Sequence, residues 1–337
     1  MTSTAADANS SLALPVLDDA LEARLRAQLA LVEERLEREI RSESPFVTEA
    51  ARHLLHAGGK RFRPALVLLA AEAGDPSRDD VVTAACVVEM THLGSLYHDD
   101  VMDEAELRRG AESANHRWDN HVAILTGDFL FSKSSELTST LGADAVRIQA
   151  ETFTKLVEGQ ILETVEPGPG EDALAHYLRV VQGKTGSLIA TSARYGARFS
   201  GASAEVEEAL TAYGEKVGMA FQLSDDILDI ASDSVESGKT PGTDLREGVP
   251  TLPVLMAARS SDPADERLHA LLAQDLTDDV LHAEALGLLR KHAALDEARA
   301  YVLGIAAEAQ DLLAVLPEGP VREALNAFAV LIATRTA

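Results

Sequence analysis

Cysteine and positive charge are both scarce in this chain of 337 residues. The single cysteine, Cys86, excludes a disulfide framework or a cysteine-based metal site. Lys and Arg number 30 against 55 Asp and Glu, which gives a formal net charge of −25 at pH 7. Basic residues form no cluster large enough to make one strongly basic face, so nucleic acid is excluded as a partner. A phosphorylated substrate would have to be bound by local cations.

Long hydrophobic runs are also missing. No uninterrupted apolar stretch approaches the ~18 residues that a membrane span needs, and the first residues lack the basic and apolar regions of a signal peptide. We therefore expect no transmembrane segment and a cytoplasmic location. The hydrophobic share of 46% is that of a globular chain with a sizeable core.

Apolar residues recur with helical spacing almost everywhere after Leu17, whereas strand-like runs bounded by turns are hard to find. Neither a repeat nor a low-complexity linker divides the chain. The pattern predicts an all-α fold with a single large helical domain over residues 15–337. Residues 1–14 are mostly small and polar, which predicts a disordered tail.

Two segments carry the same pattern, D-D-x-x-D, at residues 99–103 and 225–229. On a helix, the first and last aspartates of each segment lie four residues apart on one face, where like charges repel unless cations compensate them. Oxygen ligands without a nearby cysteine favour Mg²⁺, which binds one or two carboxylates together with water and substrate phosphates. A single such segment is equally well a solvated acidic face, but two matched copies favour a metal site.

Short basic elements complement these carboxylates. Gly58-Gly59-Lys60-Arg61-Phe62-Arg63-Pro64 places three cations beside two glycines at the start of a predicted helix, which suits an anion. Arg108-Arg109-Gly110 begins five residues after the first cluster, about one and a half turns away if the helix continues. Lys-Thr-Gly at 184–186 and Gly-Lys-Thr at 238–240 have similar chemistry. Each element alone is weak, but together with the aspartates they indicate a site for two diphosphates.

The motifs, taken together and in this order, resemble the trans-prenyltransferase family, the polyprenyl diphosphate synthases. They are G-G-K-R-F-R-P, H-L-G-S-L-Y-H-D-D-V-M-D, R-R-G, K-T-G, F-Q-L-S-D-D-I-L-D and G-K-T-P-G-T-D-L-R-E-G. The resemblance implies the isoprenoid synthase fold, a helical bundle around a deep central cavity, and in most members a homodimer. It also implies Mg²⁺-dependent condensation of isopentenyl diphosphate with an allylic diphosphate (dimethylallyl, geranyl or farnesyl), with three metal ions bound alongside the allylic substrate.

The resemblance also assigns roles to residues of this sequence. It matches the contacts to isopentenyl diphosphate with Lys60, Arg63, His92 and Arg109. It matches the contacts to the allylic diphosphate with Arg108, Lys184 and Lys239, and the polar groups beside the allylic carbocation with Thr185 and Gln222. It matches the principal metal ligands with Asp99, Asp103 and Asp225, and supporting or water-mediated roles with Asp100, Asp226 and Asp229.

Three other functions compete with the condensing enzyme. A terpene cyclase of the same helical class should lack the G-G-K-R-F-R-P and R-R elements and carry a different second metal motif. A regulatory subunit of a heteromeric synthase should have lost aspartates from one or both clusters, and both are intact here. An acidic helical scaffold does not explain two matched metal motifs.

The sequence also bears on product length. The positions beneath Asp99 on a helix are all small at successive turns: Ser95, Gly94, Thr91, Val88 and Ala84. If this lane lines the product tunnel, nothing in it blocks growth, and we expect a product longer than C20. The alternatives are a short-chain synthase making C15 or C20, small residues that merely let helices pack closely, and closure of the tunnel by Phe129 or Phe131 from another helix.

Overall fold

The computed structural model describes residues 14–232 and 241–335, and their secondary structure is overwhelmingly helical. The longer helices are α1 (Asp19–Glu39), α2 (Pro45–His56), α3 (Phe62–Ala71), α4 (Asp79–Met102), α6 (Asn120–Ser139), α7 (Ala143–Glu163), α8 (Ala173–Val181), α9 (Ser187–Ser200), α10 (Ala204–Ala231), α14 (Asp279–Leu289), α15 (Ala293–Leu312) and α16 (Pro320–Thr334). The shorter elements are strands β1 (Leu107–Arg108) and β2 (Ala111–Glu112), helices α5 (Ala114–Arg117), α11 (Thr243–Arg246), α12 (Leu252–Ala257) and α13 (Glu266–Leu272), a π-helical turn (Gln182–Gly186), and 3₁₀ turns at Pro263–Asp265 and Leu313–Val315. The predicted all-α fold is confirmed.

Helix starts follow the local sequence. The side chain of Asp18 accepts a hydrogen bond from the backbone N–H of Leu21 and caps α1. Ser44 caps α2 in the same way, with Pro45 in the first turn, where its missing N–H costs nothing. Asp119 does the same at the start of α6. Each cap satisfies a backbone donor that the helix itself leaves unpaired.

A small hairpin interrupts the helices directly after the first aspartate cluster. β1 pairs antiparallel with β2, with Arg108 opposite Ala111. The two turn residues, Arg109 and Gly110, have φ values of 56° and 78°, as the tight turn of a two-residue hairpin requires. The spacing of about one and a half helical turns between the first cluster and Arg108 is therefore wrong, because α4 ends at Met102 and Asp103 is its C-cap.

The chain divides into two compact units. The first contains the described parts of Met1–Phe153, Leu188–Thr211 and Leu313–Ala327, and the second those of Thr154–Ser187, Ala212–Leu312 and Phe328–Ala337. Whether the two units form one domain over residues 15–337 stays a prediction, and nearly all of the tail predicted for residues 1–14 lies outside the described residues.

In the first unit, α4 is the central helix. It packs against α1, α3 and α6, and its long buried run includes Val81, Ala84, Val88 and Leu93. This apolar surround explains why α4 shows no amphipathic pattern in the sequence. α4 therefore carries the first aspartate cluster at its C-terminal end, where Asp100 is still buried and Asp103 is exposed.

In the second unit, the short helix α12 packs against α8, α14 and α15. Its residues Leu252, Pro253 and Val254 are buried. α10 carries the second aspartate cluster near its C-terminal end, within a run that also buries Leu223, Ile227 and Ile230. No helix of the described residues is long and apolar enough to cross a membrane.

Candidate active site

The basic loop between α2 and α3 is held by Arg109 of the hairpin. Arg109 Nη1 donates hydrogen bonds to the carbonyl oxygens of Gly58 and Leu54, the latter at 3.2 Å. A Cβ atom at Gly59, whose φ is 131°, would lie 2.7 Å from the Arg109 guanidinium carbon, so only glycine allows this approach. Lys60, the next residue, is exposed. The structure thus joins the G-G-K-R loop to the R-R-G hairpin.

Arg63 and His92 form the interior part of this basic cluster. The Nε atom of Arg63 is buried and has no hydrogen-bond partner among the described residues. Burial lowers the pKa of Arg63 to about 10, and the positive charge of Arg109 adds to this effect, whereas the carboxylates of Glu89 and Asp99 oppose it. Arg63 is therefore still charged at neutral pH, with a donor available to an anion.

His92 is neutral at pH 7. Burial is the main cause of a pKa well below the usual value, and the charges of Arg63, Arg109, Arg61 and Arg108 lower it further. A neutral imidazole carries one N–H donor and one acceptor nitrogen. His92 can therefore donate a hydrogen bond to an anionic ligand without adding to the positive charge of the cluster.

The first aspartate cluster is tied to the hairpin. The backbone N–H of Asp103 donates to the carbonyl of Asp99 at 2.8 Å, so the two residues keep the i, i+4 relation that the sequence predicts. Asp100 is fully buried, and its Oδ1 accepts a hydrogen bond from Arg108 Nε at 2.5 Å. Burial raises the pKa of Asp100, and the Arg108 charge opposes that rise. Arg108 Nη2 also lies 3.7 Å from the exposed Asp103 carboxylate.

The second cluster uses its three aspartates differently. Both carboxylate oxygens of Asp229 accept backbone N–H groups at the start of α11, from Thr243 at 3.1 Å and Asp244 at 3.2 Å. Asp225 pairs with Arg335 at 2.9 Å and remains about half exposed. Asp229 therefore anchors the start of α11, which fits the supporting role that the resemblance implies.

Asp226 is the buried member of this cluster. It accepts hydrogen bonds from the hydroxyl of Tyr177 and from Gln222 Nε2, the latter at 3.2 Å. Burial raises its pKa well above the usual value, and the negative charges of Asp244, Asp229 and Glu163 raise it further. These groups surround Asp226 with excess negative charge.

The K-T-G motif lies in the π-helical turn Gln182–Gly186 between α8 and α9. Single π-helical turns are frequent at functional sites because they displace side chains from the regular helical positions. Thr185 Oγ1 donates to Gln222 Oε1 at 3.1 Å, and Lys184 Nζ pairs with Glu163 at 2.6 Å. Thr185 and Gln222, which the resemblance assigns to one task, are therefore in direct contact.

The predicted site residues thus form two groups. The first unit holds Lys60, Arg63, His92, Asp99, Asp103, Arg108 and Arg109, and the second unit holds Lys184, Thr185, Gln222, Asp225 and Asp229. Lys239 lies outside the described residues. The roles of all these residues stay proposals.

The aspartates fit a hydrated magnesium ion. Among the described residues, no group of three or more His, Cys, Asp and Glu side chains is arranged to hold a metal ion by itself. Mg²⁺ does not require such a group, because it keeps several waters and uses one or two carboxylates together with substrate phosphates. The carboxylates of Asp99 and Asp103, four residues apart at the end of α4, offer oxygen donors of the type that Mg²⁺ prefers.

Several residues that contact the motif residues lie outside the motifs themselves. Glu33 and Glu89 both pair with Arg61, at 2.5 and 3.3 Å. Tyr177 contacts Asp226, and Arg335 contacts Asp225. Of these, Glu89 alone has a local signal, since it is an isolated carboxylate within the apolar run of α4.

The small-residue lane of α4 is not open in this structure. Ala84, Val88 and Thr91 are at most 2% exposed, and a Cβ atom at Gly94 would lie 3.1 Å from the ring of Phe131 on α6. Phe131 in turn packs against Phe153 with the two rings tilted by 54° and their centroids 4.6 Å apart. The expectation of an unobstructed lane is therefore wrong at Gly94, and close helix packing with Phe131 accounts for the small residues. Ser95 retains some accessible surface.

Comparison with known proteins supplies the family. The family model described as "Polyprenyl synthetase" matches residues 44–289. A nonaprenyl diphosphate synthase from Mycobacterium tuberculosis is 49% identical over 312 residues, which cover 92% of this chain and 93% of that protein.

Solved structures of similar proteins agree with this family match. A geranylgeranyl pyrophosphate synthase from Corynebacterium glutamicum, complexed with calcium and isoprenyl diphosphate, has a TM-score of 0.86 and 45% identity over 96% of this chain and all of that one. A decaprenyl diphosphate synthase from Rhodobacter capsulatus has a TM-score of 0.86 and 34% identity over 95% of this chain and 99% of that one. The all-α fold, the basic and acidic motifs and these matches agree, and the chain belongs to the polyprenyl synthetase family of prenyltransferases.

Proposed function

We propose that this chain condenses isopentenyl diphosphate with an allylic diphosphate, in a Mg²⁺-dependent reaction, to make a trans-polyprenyl diphosphate longer than C20. The observation that carries the proposal is the basic cluster of the first unit. There, a buried Arg63 donor that finds no partner in residues 14–232 and 241–335 and a neutral His92 lie in the field of Arg109. A buried cation with an unused donor is costly unless a ligand completes its hydrogen bonds.

In this proposal, Lys60, Arg63, His92 and Arg109 bind the diphosphate of isopentenyl diphosphate. The guanidinium groups offer paired donors to the phosphate oxygens, and Lys60, exposed at the edge, adds a point charge. This substrate carries no leaving group in the reaction, so bare cations are enough to orient it.

The allylic diphosphate is the leaving group and needs stronger stabilisation. Arg108, Lys184 and Lys239 contact it, and three Mg²⁺ ions held through Asp99, Asp103 and Asp225 would neutralise the charge that grows as its C–O bond breaks. Asp229 supports the start of α11, through its two backbone hydrogen bonds.

The remaining polar groups act on the carbocation and the proton. The contact between Thr185 and Gln222 places oxygen dipoles together, as a developing allylic cation requires. The isopentenyl double bond then attacks the cation, and the new carbocation loses a proton. No side chain is an obvious base, so the departing diphosphate accepts this proton.

The product length is supported by relatives of both kinds. Proteins named as nonaprenyl and decaprenyl diphosphate synthases favour a long product. The similarity to a geranylgeranyl pyrophosphate synthase keeps a C20 product as the specific alternative. The closed contact between Gly94 and Phe131 is compatible with the alternative.

We further propose a cytoplasmic homodimer. Ile124 and Leu125 on α6 are 41% and 66% exposed, and a second copy could bury such apolar side chains. A regulatory subunit without activity is the least favoured alternative, since both aspartate clusters are complete.

Radiolabelled isopentenyl diphosphate incorporation, with dimethylallyl, geranyl or farnesyl diphosphate as primer, tests the proposal. We expect a labelled product that depends on the primer and on Mg²⁺ and that chromatographs beyond C20. A product of C15 or C20 would refute the long chain alone. Absence of incorporation with every primer would refute the condensing reaction.

A further inference from the structure

Arg61, the middle cation of the basic loop, is bound entirely by the protein itself. Its Nε donates to Glu33 Oε1 at 2.5 Å, and its Nη2 donates to Glu33 Oε2 at 3.3 Å and to the Leu55 carbonyl at 2.9 Å. Its Nη1 donates to the Gly58 carbonyl at 3.1 Å and to Glu89 Oε1 at 3.3 Å. A guanidinium has five N–H donors, and these five bonds use all of them.

Arg61 therefore has no donor left for a substrate. It is only 9% exposed, and its charge is matched by the carboxylates of Glu33 on α1 and Glu89 on α4. Arg63, two residues later, is the opposite case, because its buried Nε has no partner among the described residues. The motif's two arginines are not equivalent.

One of the five bonds links Arg61 to Arg109. The Gly58 carbonyl that accepts from Arg61 Nη1 also accepts from Arg109 Nη1. Both arginines hold a left-handed backbone, with φ of 47° at Arg61 and 56° at Arg109. For residues other than glycine this conformation costs about 1 kcal/mol or more and persists only where surrounding contacts impose it.

We propose that Arg61, clamped by Glu33 and Glu89, is a positioning residue for the diphosphate of isopentenyl diphosphate and acts through the Gly58 carbonyl on Arg109. The inference rests on the proposed function for the identity of that ligand. Arg61 itself does not touch the substrate. Its role is to fix the carbonyl that orients the Arg109 guanidinium, so that Arg109 needs no reorganisation when the diphosphate binds.

Arg61→Lys tests this role because a lysine keeps the charge but has three donors on a single nitrogen and cannot span four acceptor groups. We expect the Michaelis constant for isopentenyl diphosphate to rise about tenfold, as for loss of hydrogen bonds to charged groups, with that for the allylic substrate within about twofold of wild type. Arg24→Lys is the matched control, since Arg24 forms a two-bond pair with Glu72 on the surface of the same unit. It should change neither constant.

A double variant separates positioning from general destabilisation. If Arg61 acts through Arg109, then Arg61→Lys should raise the constant for isopentenyl diphosphate much less in an Arg109→Gln background than in wild type. Fully additive effects, or equal rises for both substrates, would overturn the proposal.

Calorimetric titration with inorganic pyrophosphate makes the test independent of turnover. Wild type should bind it about tenfold more tightly than Arg61→Lys. If wild type fails to condense substrates but shows this difference, the proposed function fails and the positioning role stands. If condensation is normal and Arg61→Lys binds pyrophosphate like wild type, or wild type does not bind it, the positioning role fails.

Glu89→Gln provides a second variant should Arg61→Lys fail to fold, as judged by circular dichroism. It removes one charged acceptor and leaves Arg61 in place. The same selective rise in the constant for isopentenyl diphosphate supports the proposal, and unchanged constants contradict it.

Discussion

Arg61 and Arg63 stand two positions apart, yet the Arg61 guanidinium uses all its donors in internal hydrogen bonds, whereas Arg63 has a buried donor with no partner in the described part of the chain. Composition and spacing treat them alike, as cations beside a glycine pair. The difference arises from Glu33 and Glu89, which approach Arg61 from α1 and α4. A single sequence does not show which distant residues form ion pairs. The sequence could therefore predict the basic cluster, but not which arginine binds protein groups and which has a donor available.

At the residue scale, we expect substitutions of Lys60 and Arg63 to affect one substrate and substitution of Lys184 to affect the other. Lys60→Ala and Arg63→Ala should raise the Michaelis constant for isopentenyl diphosphate by about tenfold or more, since under the proposed function each variant loses a charge-assisted hydrogen bond to that diphosphate. Lys184→Ala should act chiefly on the allylic substrate. Steady-state kinetics with each substrate varied in turn make the comparison, and equal effects on both constants would contradict the division.

At the scale of elements, the helices and both aspartate pairs follow from the sequence because apolar spacing and cap residues act locally. Asp99 with Asp103, and Asp225 with Asp229, have the predicted i, i+4 geometry. The hairpin and the π-helical turn do not follow in the same way. The hairpin depends on the left-handed conformation of Arg109 and Gly110. The π-helical turn at Lys184 lies where the sequence pattern does not distinguish it from a regular helix. Such departures from regular structure concentrate at functional sites.

The α4–α6 contact decides how a product-length experiment should be designed. Gly94→Tyr would force a ring against Phe131 and the Gly127 carbonyl, 3.1 and 3.2 Å from a Cβ atom at this position, so we expect mainly lost stability. Ser95→Phe, at a half-buried position, should instead shorten the product while condensation continues.

Product chromatography and thermal unfolding of both variants test this distinction. Ser95→Ala is the matched control and should keep the wild-type product. If Ser95→Phe leaves the product distribution unchanged, then this side of α4 does not contact the growing chain.

At the scale of the whole molecule, the net charge of −25 makes the local cations conspicuous, because an acidic chain must concentrate them wherever it binds diphosphate. The order of the basic and aspartate motifs along the chain was enough to predict the family and its fold. The small-residue lane could not be interpreted correctly, because Phe131 reaches Gly94 from a different helix.

The single cysteine gives a probe of global stability. Cys86 is fully buried on α4, and burial raises the pKa of its thiol to about 12. Because the thiolate is the reactive form, a thiol reagent at pH 8 should label native protein at least about a thousandfold more slowly than urea-unfolded protein. Complete labelling of native protein within the mixing time would show that the α1–α4 core opens far more readily than its packing indicates.

The central claim of this account is that both aspartate clusters bind Mg²⁺ for the reaction. Its most direct test is the turnover of Asp99→Ala and Asp225→Ala, measured as labelled isopentenyl diphosphate incorporation at saturating substrates and Mg²⁺. Each variant removes a carboxylate that we propose to bind Mg²⁺, without removing core volume, so we predict loss of turnover by about a hundredfold to a thousandfold or more, with helical content retained by circular dichroism. Glu104→Ala, an exposed carboxylate next to the first cluster, is the control and should remain active. Near-wild-type turnover by either aspartate variant, or activity in EDTA, would contradict the account.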